Sequence, residues 1–135
     1  MALTDISTQI QLARRPNGQP VAADFIAVEV PLPPLSAGEI RVCNDYVSVD
    51  PYMRGRMDDR PSYVEPFKLN ETMTGAAVGR VVESASGDFS PGDLVLHRHG
   101  WRDVAQGAAE DFTRVDEVPG LPASAFISAR WARPA

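Results

Sequence analysis

One cysteine, Cys43, and one lysine, Lys68, stand among the 135 residues. A single thiol allows no internal disulfide, a usage that fits a reducing cytoplasm. No apolar run approaches the ~20 residues of a membrane span, so no membrane is expected as a partner. The N-terminus lacks a basic start followed by an apolar block, so no secretory signal is read and a cytoplasmic location is expected. Positive charge is in short supply: 13 Lys and Arg face 18 Asp and Glu, for a net charge of −5. Nucleic acid is excluded as the main partner, because phosphate backbones demand clustered positive charge. Cys-x-x-Cys, His-Glu-x-x-His and the phosphate loop are all missing, so no metal or nucleotide motif is read. No G-x-S-x-G elbow supports a hydrolase. No G-x-G-x-x-G opens a helix, so the chain brings no dinucleotide site of its own.

What is present is punctuation. Twelve prolines and ten glycines divide the chain, and the apolar residues between them alternate with period two, the mark of short strands. Strands are predicted over Ser7–Leu12, over Phe25–Val30 with Ile26, Val28 and Val30 on one face, and over Glu39–Val49 with Ile40 and Val42 alike. A long strand is predicted over Thr74–Ser84, where Gly75 and Gly79 mark a bulge or a close backbone approach. Another opens at Leu94, and Ala109–Val115 reads as a last weak one. No long amphipathic helix is indicated. A chain long enough for one core, built of many short strands, points to a mainly β fold, a barrel or a sandwich.

The stretch Asn44–Met57 gathers the chemistry. A strand ends at Asp50-Pro51 and then presents Tyr52, Arg54 and Arg56 around Gly55. Proline biases Asp50 toward extended backbone, and Gly55 permits a turn that a side chain would block. Arg54, Arg56 and Arg60 form a basic turn, read either as a site for a small phosphorylated ligand or as a solvated surface. Tyr52 and Tyr63 are neutral phenols that can donate to a developing oxyanion, or pack with their hydroxyls in water. His97 and His99 lie at i and i+2, so they share a strand face; without a third ligand they read as a hydrogen-bonded or solvated pair. Cys43 reads as a buried, inert thiol. Trp101 reads as a cover for the barrel or an interdomain contact.

Val47–Met57, V-S-V-D-P-Y-M-R-G-R-M, resembles the signature of the zinc-independent medium-chain dehydrogenases/reductases. More narrowly, it resembles the NADP-dependent alkenal double-bond reductases, which include the leukotriene B4 12-hydroxydehydrogenase/15-oxo-prostaglandin 13-reductase group. Gln9–Gly18 with Phe25–Val30, Phe67–Ser84, Ser90–Val95 and Gly100–Asp103 agree with the same family. The resemblance implies a GroES-like, partly open β-barrel, the N-terminal catalytic domain of a two-domain enzyme, over residues 1–122. It implies NADP as cofactor and a small enone or enal as substrate, reduced at its C=C bond. Carried over by motif, Tyr52 is the catalytic donor and lines the substrate cleft. Tyr63 is a second substrate wall, and Asp50, Pro51 and Arg54 shape the turn facing the cofactor. The zinc ligands of the metal-dependent cousins are replaced here by Ser48–Asp50 and Thr74–Ala76, so no metal is implied.

The family pattern is lost at Arg130, where its members run on into a Gly-rich helix start. Residues 123–135 are therefore expected to be an aberrant tail, a frameshift product or a truncation, and the isolated chain is expected to be inactive. Two alternatives stand beside this: a GroES-like binding module without catalysis, and one half of a split reductase whose nucleotide-binding domain is a separate chain.

Overall fold

Seven strands and one short helix follow one another in the computed structural model, which describes residues 6–50, 52–59, 65–116, 119–120 and 122. β1 (Ile6–Leu12) and β2 (Phe25–Pro31) form an antiparallel pair, in register from Ile6 opposite Pro31 to Leu12 opposite Phe25. β3 (Glu39–Val47), α1 (Tyr52–Arg56), β4 (Ala77–Ser84), β5 (Leu94–His97), β6 (Val104–Ala108) and β7 (Thr113–Arg114) follow. The five later strands make one antiparallel sheet in the order β6-β3-β4-β5-β7. The two sheets do not close on each other, so the mainly β, partly open barrel predicted from the sequence is what the chain forms.

Strand burial follows the alternation. Ile40 and Val42 of β3 are fully buried and pack with Val81, Val95, Ala105 and Phe112 into the main core. Each such aliphatic side chain contributes about 1.5–3 kcal/mol by leaving water. A second cluster of Leu12, Met53, Met57, Phe67 and Met73 seats α1 against the end of the sheet, with Phe25 and Trp101 against it. Arg41 is buried in β3, donating to Gln106 Oε1 at 2.9 and 2.7 Å and to the Pro33 carbonyl at 2.8 Å. Those bonds tie the proline-rich loop to β6.

Four expectations need correction. The sequence predicts a strand over Ala109–Val115, but Ala109–Asp111 is a 3-10 turn and only Thr113–Arg114 pairs. The missed strand lies just before it: β6 is made of small residues and one glycine (V-A-Q-G-A), too weak a pattern to stand out. The residues after Pro51 form a helical turn rather than an open loop; Gly55 lies inside it, and a Cβ there would meet nothing within 4 Å. On the face of β2 that carries Ile26, Val28 and Val30, only the two valines are half-buried, and Ile26 is 48% exposed. Cys43, finally, is only half-buried.

Gly79 has the close backbone approach read from the sequence, whereas Gly75 has a close contact of another kind, with the end of a side chain. A Cβ on Gly79 would stand 2.8 Å from Asn44 Cα and closer still to the Cys43 carbonyl. A Cβ on Gly75 would stand 2.6 Å from Met53 Cε. The β3–β4 ladder shifts register twice: between Asn44 and Tyr46, where β3 carries the extra residue, and between Arg41 and Val42, where β4 does. Gly79→Ala should therefore cost about 1–3 kcal/mol, the range for overpacking. Gly55→Ala should be neutral or stabilising by up to ~1 kcal/mol. Urea denaturation of the two variants checks the contrast, and equal stabilities would contradict the packing described.

Candidate functional site

The candidate site is built where β3 runs out. Its ladder with β4 ends at Val47 opposite Ala77, and one further bond, from Ser48 N–H to the Ala76 carbonyl at 2.8 Å, holds the next residue. The Ser48 hydroxyl then donates to Asp50 Oδ2 at 2.9 Å, and Met53 N–H donates to the Asp50 carbonyl at 3.0 Å. Asp50 is thus fixed twice, by side chain and by backbone, and the chain turns there into α1. A five-residue helix has little stability of its own. Met53 on its inner face and Met57 just past its end, both buried, anchor it.

Arginines hold its outer face. Arg54 donates from Nε to the Gly18 carbonyl at 2.9 Å, from Nη1 to Asp58 Oδ1 at 3.0 Å and from Nη2 to the Pro16 carbonyl at 3.4 Å. Arg15 donates to the carbonyls of Met57 and Phe67 at 3.0 and 2.6 Å. Arg56 donates to the Glu65 carbonyl at 2.9 Å and lies 4.1 Å above the Phe67 ring. The basic turn read from the sequence is, at Arg54 and Arg56, a set of staples onto main-chain oxygens. Arg60, Pro51, Tyr63 and the side chain of Tyr52 lie outside the described residues. The backbone of Tyr52 opens α1, two residues after Asp50.

Beside this turn lies an apolar cleft of about 470 Å³, lined by Thr8, Ile10, Val47, Val49, Trp101, Arg102 and Asp103. Val49 is 75% exposed, an unusual position for an aliphatic residue next to an apolar wall. The far wall is β1 stitched to residues 101–103: Ile10 N–H donates to the Trp101 carbonyl at 2.9 Å, and Asp103 Oδ1 accepts Thr8 N–H at 2.8 Å. Trp101 stacks on Phe25 at 6.3 Å, and its indole N–H is buried with no partner among the described residues. Its reading as a cover thus holds for its packing on Phe25.

Sequence reasoning missed the residue that ties these walls together. Asn44 donates from Nδ2 to the Arg102 carbonyl at 2.8 Å and from its backbone N–H to the Asp103 carbonyl at 2.8 Å. His97 Nδ1 accepts the His99 backbone N–H at 3.0 Å, so Nε2 carries the proton and donates to Asn44 Oδ1 at 2.6 Å. The available signal was a lone amide in the apolar run of β3, opposite Gly79. The histidines are the hydrogen-bonded pair read from the sequence. Their rings are 5.4 Å apart, and among the described residues no three metal-ligating side chains gather. The Cys43 thiol is pushed above its ordinary range by burial and then by the carboxylates of Asp103 and Asp45, so it stays protonated.

The family model described as the N-terminal domain of oxidoreductase matches residues 8–115. The chain belongs to this family. The oxidoreductase N-terminal domain is 42% identical over 125 residues to YfmJ of Bacillus subtilis (strain 168), whose name places it with the NADP-dependent oxidoreductases. The match covers 93% of this chain and 36% of that one. It is 40% identical over 111 residues to the NADPH-dependent curcumin reductase of Escherichia coli (strain K12), covering 82% of this chain and 32% of the relative. The crystal structure of CurA from Vibrio vulnificus in complex with NADPH superposes with a TM-score of 0.77 at 38% identity, over 87% of this chain and 35% of that one. The domain therefore spans about a third of the length of the curated relatives it matches. These relatives bear out the resemblance to the medium-chain reductases and the GroES-like fold. Among the described residues no helix is long and apolar enough to cross a membrane.

His97 is 4% exposed, and its pKa falls from 6.5 to about 3, first through burial and then through the neighbouring His99 and Arg102. Below 6.5 the unfolded chain binds a proton that the folded chain refuses. The stability that His97 contributes is thus complete above that pH and is lost as pH falls toward 3, by up to ~1.4 kcal/mol per unit. His99, lowered by burial and Arg102 against an opposing Asp111, acts with the same sign. Urea denaturation at pH 7 and pH 5 should show a loss of about 2 kcal/mol at the lower pH. A flat profile would mean that His97 is not held neutral.

Proposed function

We propose that the chain supplies the substrate-side domain of an NADPH-dependent reductase acting on the C=C bond of a small α,β-unsaturated aldehyde or ketone. The observation that carries the reading is the apolar cleft between Val47, Val49 and Trp101 in a domain of this family, with Val49 immediately before Asp50 in the chain. The printed names of the relatives, curcumin reductase and 2-alkenal reductase among them, support it.

The fit to the cofactor is one-sided. Among the described residues the longest helix is the five-residue α1, so nothing there can seat a pyrophosphate on a helix N-terminus. The aliphatic and indole walls of the cleft suit a flat ring and an apolar substrate tail. NADPH, when bound, supplies the hydride. Asp50 and Pro51 form the turn facing the nicotinamide end, and Arg54 contributes by fixing that turn through Pro16 and Gly18. Reduction at the β-carbon of a conjugated carbonyl leaves negative charge on its oxygen. With no metal in this reading, Tyr52 donates its phenolic proton to that oxygen as a hydrogen bond, and Tyr63 forms a second wall. Val49 and Trp101 exclude water, which strengthens any such bond. In this reading residues 1–122 are the unit that meets the nucleotide-binding half.

The test joins residues 1–122 to the nucleotide-binding half of the E. coli curcumin reductase. Oxidation of NADPH with 2-nonenal is then followed optically. The fusion should turn over and the 135-residue chain alone should not. Tyr52→Phe in the fusion should lower the rate by about tenfold, toward but below the ~10²–10³ seen for a central oxyanion donor. Turnover by the isolated chain would overturn the assigned division of labour, and an unchanged rate in Tyr52→Phe would reduce that side chain to packing.

A further inference from the structure

The loop Arg14-Arg15-Pro16-Asn17-Gly18-Gln19 lines no part of the apolar cleft, and it is braced from several sides. Ala13 N–H and Arg14 N–H both donate to the Asp24 carbonyl, at 2.7 and 3.3 Å. Arg15 is fixed by the carbonyls of Met57 and Phe67, and Arg54 reaches across from α1 to the carbonyls of Pro16 and Gly18. These bonds hold open a polar pocket of about 360 Å³ lined by Arg14, Arg15, Asn17, Gln19, Val21 and Asp24.

Its charge balance runs against that of the chain. In a protein of net charge −5, two guanidiniums line this pocket with one carboxylate. That carboxylate is already engaged. Asp24 is 2% exposed; Oδ1 accepts Arg14 Nε at 2.7 Å, and Oδ2 accepts the Val21 N–H at 2.8 Å. Those two bonds hold its pKa below the ordinary value, with the charge of Arg54 adding to the effect, so it is ionised and neutralised in place. Arg14 spends only Nε on Asp24 among the described residues, and its side chain is 60% exposed. A guanidinium oriented through Nε keeps its two terminal nitrogens in a fixed fork, the arrangement that suits a tetrahedral oxyanion. The side-chain amides of Asn17 and Gln19 add neutral donors at the same rim.

We propose that this pocket is a binding site for a small phosphate or phosphomonoester, held by the Arg14 fork with Arg15, Asn17 and Gln19 around it. The site is separate from the cleft and does not depend on the reaction assigned there. Because Arg54 joins the same loop to α1, occupancy also stiffens the helix that carries Tyr52.

The test is a titration of the full 135-residue chain with inorganic phosphate at constant ionic strength, read by proton–nitrogen NMR. A parallel titration with malonate separates phosphate from carboxylate. Saturable shifts are expected in the Arg14 Nε–H signal and the side-chain amides of Asn17 and Gln19. Arg14→Gln should weaken binding by roughly tenfold, the scale of one charge-assisted hydrogen bond. Gln19→Glu places a like charge at an exposed position without disturbing the braces, and should weaken it as well. Arg80→Gln, on β4, should leave it unchanged. Shifts that fail to saturate, or that survive both pocket variants, would overturn the proposal. Malonate binding as tight as phosphate would overturn the choice of ligand.

Discussion

Opposite Gly79 the backbone of β4 meets the backbone of β3 at Cys43 and Asn44 with no room for a side chain between them. This contact sets the rest of the domain. It fixes the register of the two central strands of the sheet, and the register shift just beyond Asn44 sends the end of β3 toward the cleft. It also puts the Asn44 amide between His97 on one side and the 102–103 segment on the other. One half-buried amide therefore joins the middle of the sheet to the wall that carries Trp101. A hydrogen-bond hub of this kind gives little net stability when satisfied, but leaving its partners unpaired is costly. It specifies one arrangement of the walls rather than merely a stable one.

A second economy concerns charge. Arg15, Arg54 and Arg56, which brace α1, each donate to main-chain carbonyls. Their function is to hold a helix too short to persist alone. The cleft is lined by Ile10, Val47, Val49 and Trp101 with Thr8, and its two charged lining residues are engaged: Arg102 donates to the His99 carbonyl and Asp103 accepts the Thr8 N–H. Such a surface favours apolar ligands, and it makes each hydrogen bond offered at its edge worth more than it would be in water. The pocket around Arg14 is the complement: polar, cationic and lined by none of the cleft residues.

Much of this was legible before any coordinates. β1, β2, β3 and β5 followed from alternation and from the prolines and glycines between them. Gly75 and Gly79 announced close packing because glycines inside a strand pattern have few other uses. β6 was not legible, since small residues carry almost no periodic signal, and neither was α1, where Pro51 and Gly55 argue for a turn on local grounds. At the site, Asp50 and the Tyr52 turn were marked by the break in the strand. Asn44 was not, because nothing in the chain says which backbone carbonyls a lone amide will reach.

What the sequence determined by itself is most of the strands and the family, because period-two burial and motif spacing are local properties of the chain. Only the tertiary structure decided what the charged and polar residues are for. Arg54 reaches back 36 positions to Gly18, Arg15 forward 42 to Met57, and Asn44 across 58 to Arg102. A guanidinium or an amide bonds whichever oxygen the fold brings within 3 Å, and that choice is made by long-range packing, not by neighbours in sequence.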